Sequence, residues 1–480
     1  MTEEEEEKTP EEKLEERMFD KGVEPFSVNV QGEASASSQL IYSSLGVAYA
    51  EKDEEIIPYV IPQNLPELEY RLVSTIYKLT QEKLPKVVIV APSEAVNIPP
   101  QLRAMYEQQG MQIPQSRDLF SSLTRILQSE KYEVERVEFS KDQPLPEDFD
   151  TLVILNPRDL TERHHWEINR ALRGGKSVVL AVQQYLWDYR PTRDRIQVTR
   201  SSENPNVNPF LENLGLGINE NTLMDVNAVG IGIPMGLFQQ ELSLPLHMIV
   251  PSENMNADSA ITSNLGTILY FWGSALDIDN AKLDELGLEH NVLITTSNRA
   301  WLETAEPTTP DFSFEEPSDA SSRQAYPVAV RVKGQFPDAF EGKERPEWPE
   351  PMQQPGQPPM PPTEEEGPAE PVEPAPGELI LMGCSEPFKD DYLRVAGGSN
   401  LQLLFKMVDG VTLKESIANI RARTPIMRTI DKPEDGVVRK WQIINYGLAN
   451  LVIAGIGIAV VTLRRRSRNA YTMSYASKQA

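Results

Sequence analysis

From residue 86 onward the apolar positions alternate between two periods. "KVVIVAP" (86–92), "FDTLVILNP" (149–157) and "KSVVLAV" (176–182) are short apolar runs, the pattern of strands covered on both faces. "YEVERVEF" (132–139) is a further strand. Between them lie segments of helical period. In "RDLFSSLTRILQSE", Leu119, Leu123, Ile126 and Leu127 form one stripe, with Ser116 placed to cap the helix. Thr161 caps "ERHHWEINRALR", which ends at Gly174. Strand and helix in alternation predict an α/β fold, a mostly parallel sheet flanked by helices.

Upstream, "EPFSVNVQG" and "QLIYSSLGVAYAEKDEEIIPYV" alternate like strands, with the acidic turn Glu51–Glu55 inside a hairpin. "LPELEYRLVSTIYKLTQ" places Leu68, Leu72, Ile76 and Leu79 on one helical face. Downstream, "FLENLGLGINENTLMDV" reads as helix, turn and strand. "LPLHMIVP", "GTILYFWGSALDI", "NVLITTS", "AYPVAVRVKG" and "GELILMGCSEPF" read as strands, and "NLQLLFKMVDGV" as an amphipathic helix. "VGIGIPMG" (229–236) has its third glycine one place late for a dinucleotide fingerprint and reads as a flexible loop.

"GLANLVIAGIGIAVVTLRRRSR" (447–468) closes the pattern. Trp441–Leu463 carries no charge and would be about 34 Å long as a helix, enough to span a bilayer. Trp441 and Tyr446 suit its interface, Gly455 and Ala459 form a small-xxx-small pair, and Arg464, Arg465 and Arg466 follow its end. Positive charge stays cytoplasmic, so the tail is expected inside and the bulk of the chain outside. No basic n-region and apolar h-region open the sequence.

Composition narrows the chemistry. The chain has 480 residues and a net charge of −26, which argues against nucleic acid as a partner. Its single cysteine, Cys384, excludes an internal disulfide and a cysteine-built zinc site. His164 and His165 are adjacent, so on a helix they diverge and cannot grip one metal; a solvated face beside Trp166 is expected. "RGGKS" (173–177) runs from helix to strand, the reverse of a phosphate loop, and reads as a helix cap. Cys384 has no histidine nearby in sequence and reads as a small buried residue. Asp150, Asp159, Glu162 and Asp188 are candidates to line the C-terminal edge of the sheet. No catalytic, cofactor or metal residue is assigned.

The expected organisation is an acidic disordered lead-in (1–18), a remnant of an N-terminal α/β segment (19–85), and an α/β domain (86–345 and 378–432). A Pro/Glu-rich disordered insertion (346–377) interrupts that domain. A transmembrane helix (441–463) and a basic cytoplasmic tail (464–480) follow.

Three stretches in order resemble one family. "RMFDKGVEPFSV…IYSSLGVAYAEKDEEIIPYV…LEYRLVSTIYKLT", "LGTILYFWGSALDI…NVLITTSNRAWLE" and "GGSNLQLLFKMVDGVT…LKESIANIRAR" are similar to the gliding-motility auxiliary components of ABC transporters, the GldG-type proteins. The resemblance covers roughly residues 18 to 468. It implies a class I amidotransferase-like or flavodoxin-like domain outside a bacterial inner membrane. It also implies a non-catalytic accessory role beside ABC-2 type permease and ABC ATPase subunits. The fold's usual nucleophile is missing, since "APSEAV" follows the first strand, and Cys384 stands where many relatives carry an aspartate. The family's N-terminal membrane helix and first segment have no counterpart here, so a further chain supplying that segment is expected as a partner. The competing expectation is a tail-anchored cytosolic hydrolase of the amidotransferase-like group.

Overall fold

The computed structural model describes residues 9–31, 36–61, 65–81, 83–95, 105, 116–191, 196–201, 203–235, 238–307, 312–349, 371–413 and 449–476. Contacts divide the chain into two units, 1–424 and 425–480.

Seven strands build the central sheet of the first unit: β1 Lys86–Val90, β2 Glu133–Arg136, β3 Thr151–Leu155, β4 Ser177–Ala181, β5 Glu289–Thr295, β6 Pro327–Gly334 and β7 Gly377–Met382. Their order is β5-β6-β7-β4-β3-β1-β2. From β7 to β2 every neighbour is parallel. β5 and β6 add an antiparallel edge. The sheet is therefore mixed. Its parallel part has the 2-1-3-4-5 order of flavodoxin-like folds, with β7 in fifth place after a long excursion. The hydrophobic runs cannot reveal that excursion, because a strand's partner is not encoded in its own period.

Side chains alternate along each parallel strand. Val87, Ile89, Val153, Leu155, Val179 and Ala181 face one core. Val88, Leu152, Ile154, Val178 and Leu180 face the other. Both faces are covered, which explains why these strands read as unbroken apolar runs. The helices are α1 Pro10–Asp20, α2 Leu65–Thr80, α3 Ser121–Ser129, α4 Glu162–Arg173, α5 Ser399–Thr412 and α6 Ala449–Ala476, besides two short helices in the excursion. Leu123 and Leu127 of α3, with Leu403, Leu404, Met407 and Val408 of α5, close the first core. Ile168, Ala171 and Leu172 of α4 close the second. Each such leucine contributes about 1.5–3 kcal/mol by leaving water.

Several expectations are corrected. Ser116 lies in the strand Ser116–Asp118, and α3 starts only at Ser121. Ile76 of α2 is 42% exposed, while Ser74 and Lys78 are buried. "VGIGIPMG" falls largely in the strand Ala228–Met235, paired with Phe238–Val250, where Val and Ile alternate with glycine at strand period. Pro10–Asp20, reaching into the charged lead-in, is helical, because Glu, Lys, Arg and Leu favour a helix and Pro10 fits its first position. The edges of the expected insertion are part of the fold: Trp348 is 9% exposed and Ala375 bridges to Gly174.

In the second unit α6 spans 28 residues and passes straight through Arg464, Arg465 and Arg466. Arginine is a good helix former, so charge does not end a helix. No helix among the described residues is long and apolar enough to cross a membrane. Trp441 and Tyr446 lie outside the described residues.

Candidate functional site

In a doubly wound sheet, ligands sit beyond the carboxyl ends of the strands, where the order reverses. Here the reversal falls between β1 and β3. Beyond it stand two arginines. Arg136 ends β2; its Nη2 donates to the Asp118 carboxylate at 2.7 Å and to the Ala91 carbonyl at 3.2 Å. Arg158 follows β3; its Nη2 donates to Asn156 Oδ1 at 2.8 Å and its Nη1 to the Gln184 carbonyl at 3.2 Å. Arg136 Nη1 and Arg158 Nε are buried without a hydrogen-bond partner among the described residues. Burial lowers the Arg158 guanidinium to about 10, against the pull of Glu203, Glu386 and Asp159. Asn156 (φ 47°) and Asp159 (φ 51°) occupy the left-handed region in the same loop. Such strain persists only where surrounding bonds fix it, here the Asn156 N–H to Ala181 carbonyl bond of 2.8 Å.

β4 and β7 end side by side, and the segments leaving them meet. Gln183 Nε2 donates to Glu386 Oε1 at 3.0 Å, while Gln183 Oε1 accepts from both the Ser385 N–H and hydroxyl at 2.9 Å. Glu386 is 3% exposed and pairs with Lys389 Nζ at 2.8 Å. The pair and the glutamine satisfy a carboxylate that burial would otherwise penalise heavily. Cys384 lies between, fully buried, its thiol 3.2 Å from the Phe271 carbonyl. Burial pushes that thiol well above its ordinary range, and the Glu386 charge pushes it further. A protonated, inaccessible thiol is not a nucleophile.

Above this network Tyr189, His247, Phe271, Trp272 and Tyr392 form an aromatic cluster. Trp272 Nε1 donates to the Tyr189 hydroxyl, which lies 2.8 Å from His247 Nε2. With the neutral ring's proton on Nδ1, Nε2 accepts from the tyrosine hydroxyl; with the proton on Nε2 the roles reverse. Nδ1 closes no hydrogen bond, although the carbonyls of Leu242 and Val229 favour a proton there. Burial lowers His247 to about 4. Trp272 itself has φ 58°, rare for a bulky residue, where the chain leaves the strand Ile268–Phe271.

The residues singled out in the sequence separate. Asp150 sits at the opposite, amino-terminal edge, its carboxylate accepting from the Lys86 N–H at 2.8 Å. Asp159 and Asp188 are exposed; Glu162 opens α4. Neither histidine is solvated: His165 is buried and His164 half-buried. His164 Nδ1 accepts from the Thr161 N–H at 2.9 Å and its Nε2 meets the Phe139 carbonyl at 2.9 Å; His165 Nε2 meets the Asn206 carbonyl at 2.7 Å. Both are lowered, chiefly by burial. Among the described residues no group of three or more His, Cys, Asp or Glu could hold a metal. Gly174 caps α4 as expected. Gly455, Ala459, Arg464, Arg465 and Arg466 lie on α6. Sequence reasoning missed Gln183 and Glu386, which the pairing of β4 with β7 brings together, Lys389, three residues beyond Glu386, and the aromatic cluster, in which His247 and Phe271 lie opposite each other on paired strands.

The thiol of Cys384 and the hydroxyls of Ser385 and Tyr270 face carbonyl and amide oxygens.

No curated protein matches the chain. Among solved structures, a chain titled "mmIFT52 N-terminal domain" superposes with a TM-score of 0.34 at 14% identity, over 68% of this chain and 97% of that one. A ThuA-like protein from Bacteroides uniformis gives 0.31 at 10% identity, over 70% and 96%. Residues 84–409 match the family model described as an ABC-type uncharacterized transport system. That match takes in well over half of the chain, and the protein belongs to this family of ABC transporter auxiliary proteins.

Proposed function

We propose that the protein is the membrane-anchored, non-catalytic accessory subunit of an ABC-2 type exporter of the gliding-motility kind. In this reading the α/β domain lies outside a bacterial inner membrane and works by binding permease, ATPase or cargo. The family match over 84–409 carries the reading. The arginine-bearing helix Ala449–Ala476 supports it, because a span ending in Arg464–Arg466 would leave the tail inside. The lack of an activated nucleophile among Cys384 and its neighbours supports a binding role.

Affinity purification of the tagged full chain from its own membranes tests this. A permease and an ATPase are expected to co-purify, and external protease is expected to digest the domain in intact cells. Recovery of the chain without either subunit, or full protection of the domain, overturns the reading. The competing hydrolase reading requires activity that Cys384→Ser abolishes, and the buried, carbonyl-facing thiol argues against it.

A further inference from the structure

A groove of about 920 Å³ runs beside the strand Leu276–Ile278, in the excursion between β4 and β7. Its lining also includes Val292 of β5 and 324–327, the segment that enters β6. The strand pairs antiparallel with Leu216–Ile218, and the two form a two-stranded sheet among the described residues. The register decides which backbone groups that pairing uses. Gly217 lies opposite Asp277. The flanking bonds run from the Asp279 N–H to the Gly215 carbonyl at 2.8 Å and from the Asn219 N–H to the Ala275 carbonyl at 2.9 Å. Residues 275, 277 and 279 therefore face the partner strand, and the N–H and carbonyl groups of Leu276 and Ile278 point the other way.

The two outer edges of this sheet differ. On Leu216–Ile218 the edge is closed by Asn208, whose Oδ1 accepts the Ile218 N–H at 2.8 Å and whose Nδ2 donates to the Ile218 carbonyl at 3.0 Å. On Leu276–Ile278 no strand takes that place among the described residues, and the edge borders the groove. The surroundings suit one kind of added strand. Leu276 is buried, and Ile278, Val292, Leu302 and Tyr326 are half-buried along the groove, an apolar lining. Glu212, Asp277 and Asp279 stand there against Lys282. Asp279 caps the short helix Asn280–Glu285 through the Lys282 N–H at 3.1 Å, so the positive helix start is already met. Lys282 Nζ is held by the Glu212 carbonyl at 2.6 Å. Asp277 accepts from the neutral Asn219 amide at 2.9 Å. Glu212 and Asp277 are exposed and form no ion pair among the described residues. An open edge beside apolar pockets takes an extended segment as a further strand: backbone bonds give affinity, and alternate side chains select the segment. Asp277 points to the face opposite Leu276 and Ile278, so the selected segment alternates apolar with basic residues.

We infer that the edge Leu276–Ile278 docks an extended, basic segment of a partner protein, its backbone pairing with Leu276 and Ile278, its apolar side chains in the groove and its lysines or arginines against Asp277 and Glu212. The inference does not depend on the transporter reading, since its test uses this chain alone. The probe is a blocked peptide of alternating valine and lysine, titrated into the full chain in nanodiscs of zwitterionic lipid at physiological salt, with empty nanodiscs as blank. Saturable one-to-one binding is expected, with amide hydrogen exchange slowed at 276–278. The same peptide N-methylated at every residue keeps its side chains and charge but cannot pair, and its affinity should fall by about tenfold or more, as should that of the valine–glutamate counterpart. Glu212→Gln with Asp277→Asn should weaken binding about fivefold with an unchanged melting curve. Equal binding of the N-methylated peptide would mean general attraction to an acidic chain and overturn the inference. Absence of saturable binding, unchanged exchange at 276–278, or undiminished binding by the folded double variant would overturn it as well.

Discussion

Asp390 closes the amino end of α3 from a point 268 residues further along the chain: its Oδ1 accepts the Ser122 N–H at 3.0 Å and its Oδ2 the Ser121 hydroxyl at 2.6 Å. A helix start leaves four N–H groups unmet, and a carboxylate there is doubly favoured by hydrogen bonding and by the helix dipole. Phe120, the local cap position, cannot do this with its own side chain. Asp390→Ala is therefore expected to destabilise the domain by about 1–2 kcal/mol. Urea unfolding of the full chain would measure the loss, and faster hydrogen exchange at Ser122 would place it. An unchanged exchange rate would show that the bond has no role.

The pair of buried Glu386 and half-buried Lys389 makes a contrast within one loop. Removing the lysine leaves a carboxylate that is 3% exposed, with Gln183 as its remaining donor. Lys389→Ala should cost about 3–5 kcal/mol, whereas Lys389→Ala combined with Glu386→Gln should recover much of it by removing the buried charge. Melting of the two variants side by side decides. Equal destabilisation would mean that packing of the lysine stem, not charge, sets the effect.

These two cases show where the sequence is legible. Val87–Ile89, Leu152–Leu155 and Val178–Ala181 announce buried strands because each is covered on both faces, and Thr161 and Gly174 announce the ends of α4 because caps are local chemistry. Asp390 does not announce itself as a cap, since its helix lies 268 residues away. Ser116, a plausible cap by spacing, is drawn into a strand with Ser93–Ala95. Gln183 and Glu386 look like ordinary polar residues until β4 pairs with β7. The site was hidden for the same reason that the mixed edge of the sheet was: long-range pairing leaves no period behind.

His247 should make stability depend on pH. Burial lowers its pKa to about 4 in the folded chain, against an ordinary value near 6.5. The unfolded chain therefore binds the proton more readily. The stability from the neutral ring is complete above pH 6.5 and falls as pH drops towards 4, by on the order of 2–3 kcal/mol. His164 and His165, also lowered, act in the same direction. Carboxylates titrate in part of this range, so the variant matters. His247→Gln keeps an acceptor for Tyr189 but cannot titrate, and its unfolding free energy should fall less than the parent's between pH 7 and pH 5. Parallel losses would assign the pH dependence to other groups.

Cys384 should be silent towards thiol reagents in the folded protein. Its side chain is fully buried, meets the Phe271 carbonyl, and is held protonated by burial and by Glu386. Labelling with a disulfide reagent at pH 8 should then proceed only through opening of the loop after β7, and go to completion in urea. Gly383 offers the test of that mechanism. A Cβ added there would meet the Ser274 carbonyl and the Tyr270 hydroxyl, and the Ser274 N–H to Gly383 carbonyl bond of 2.8 Å leaves the backbone no room to retreat. Gly383→Ala is therefore expected to speed labelling of Cys384 by at least tenfold while the central strands stay protected from hydrogen exchange, because the loop opens before the sheet does. Rapid labelling of the unaltered protein would mean that the thiol is exposed, and would reopen a chemical role for it.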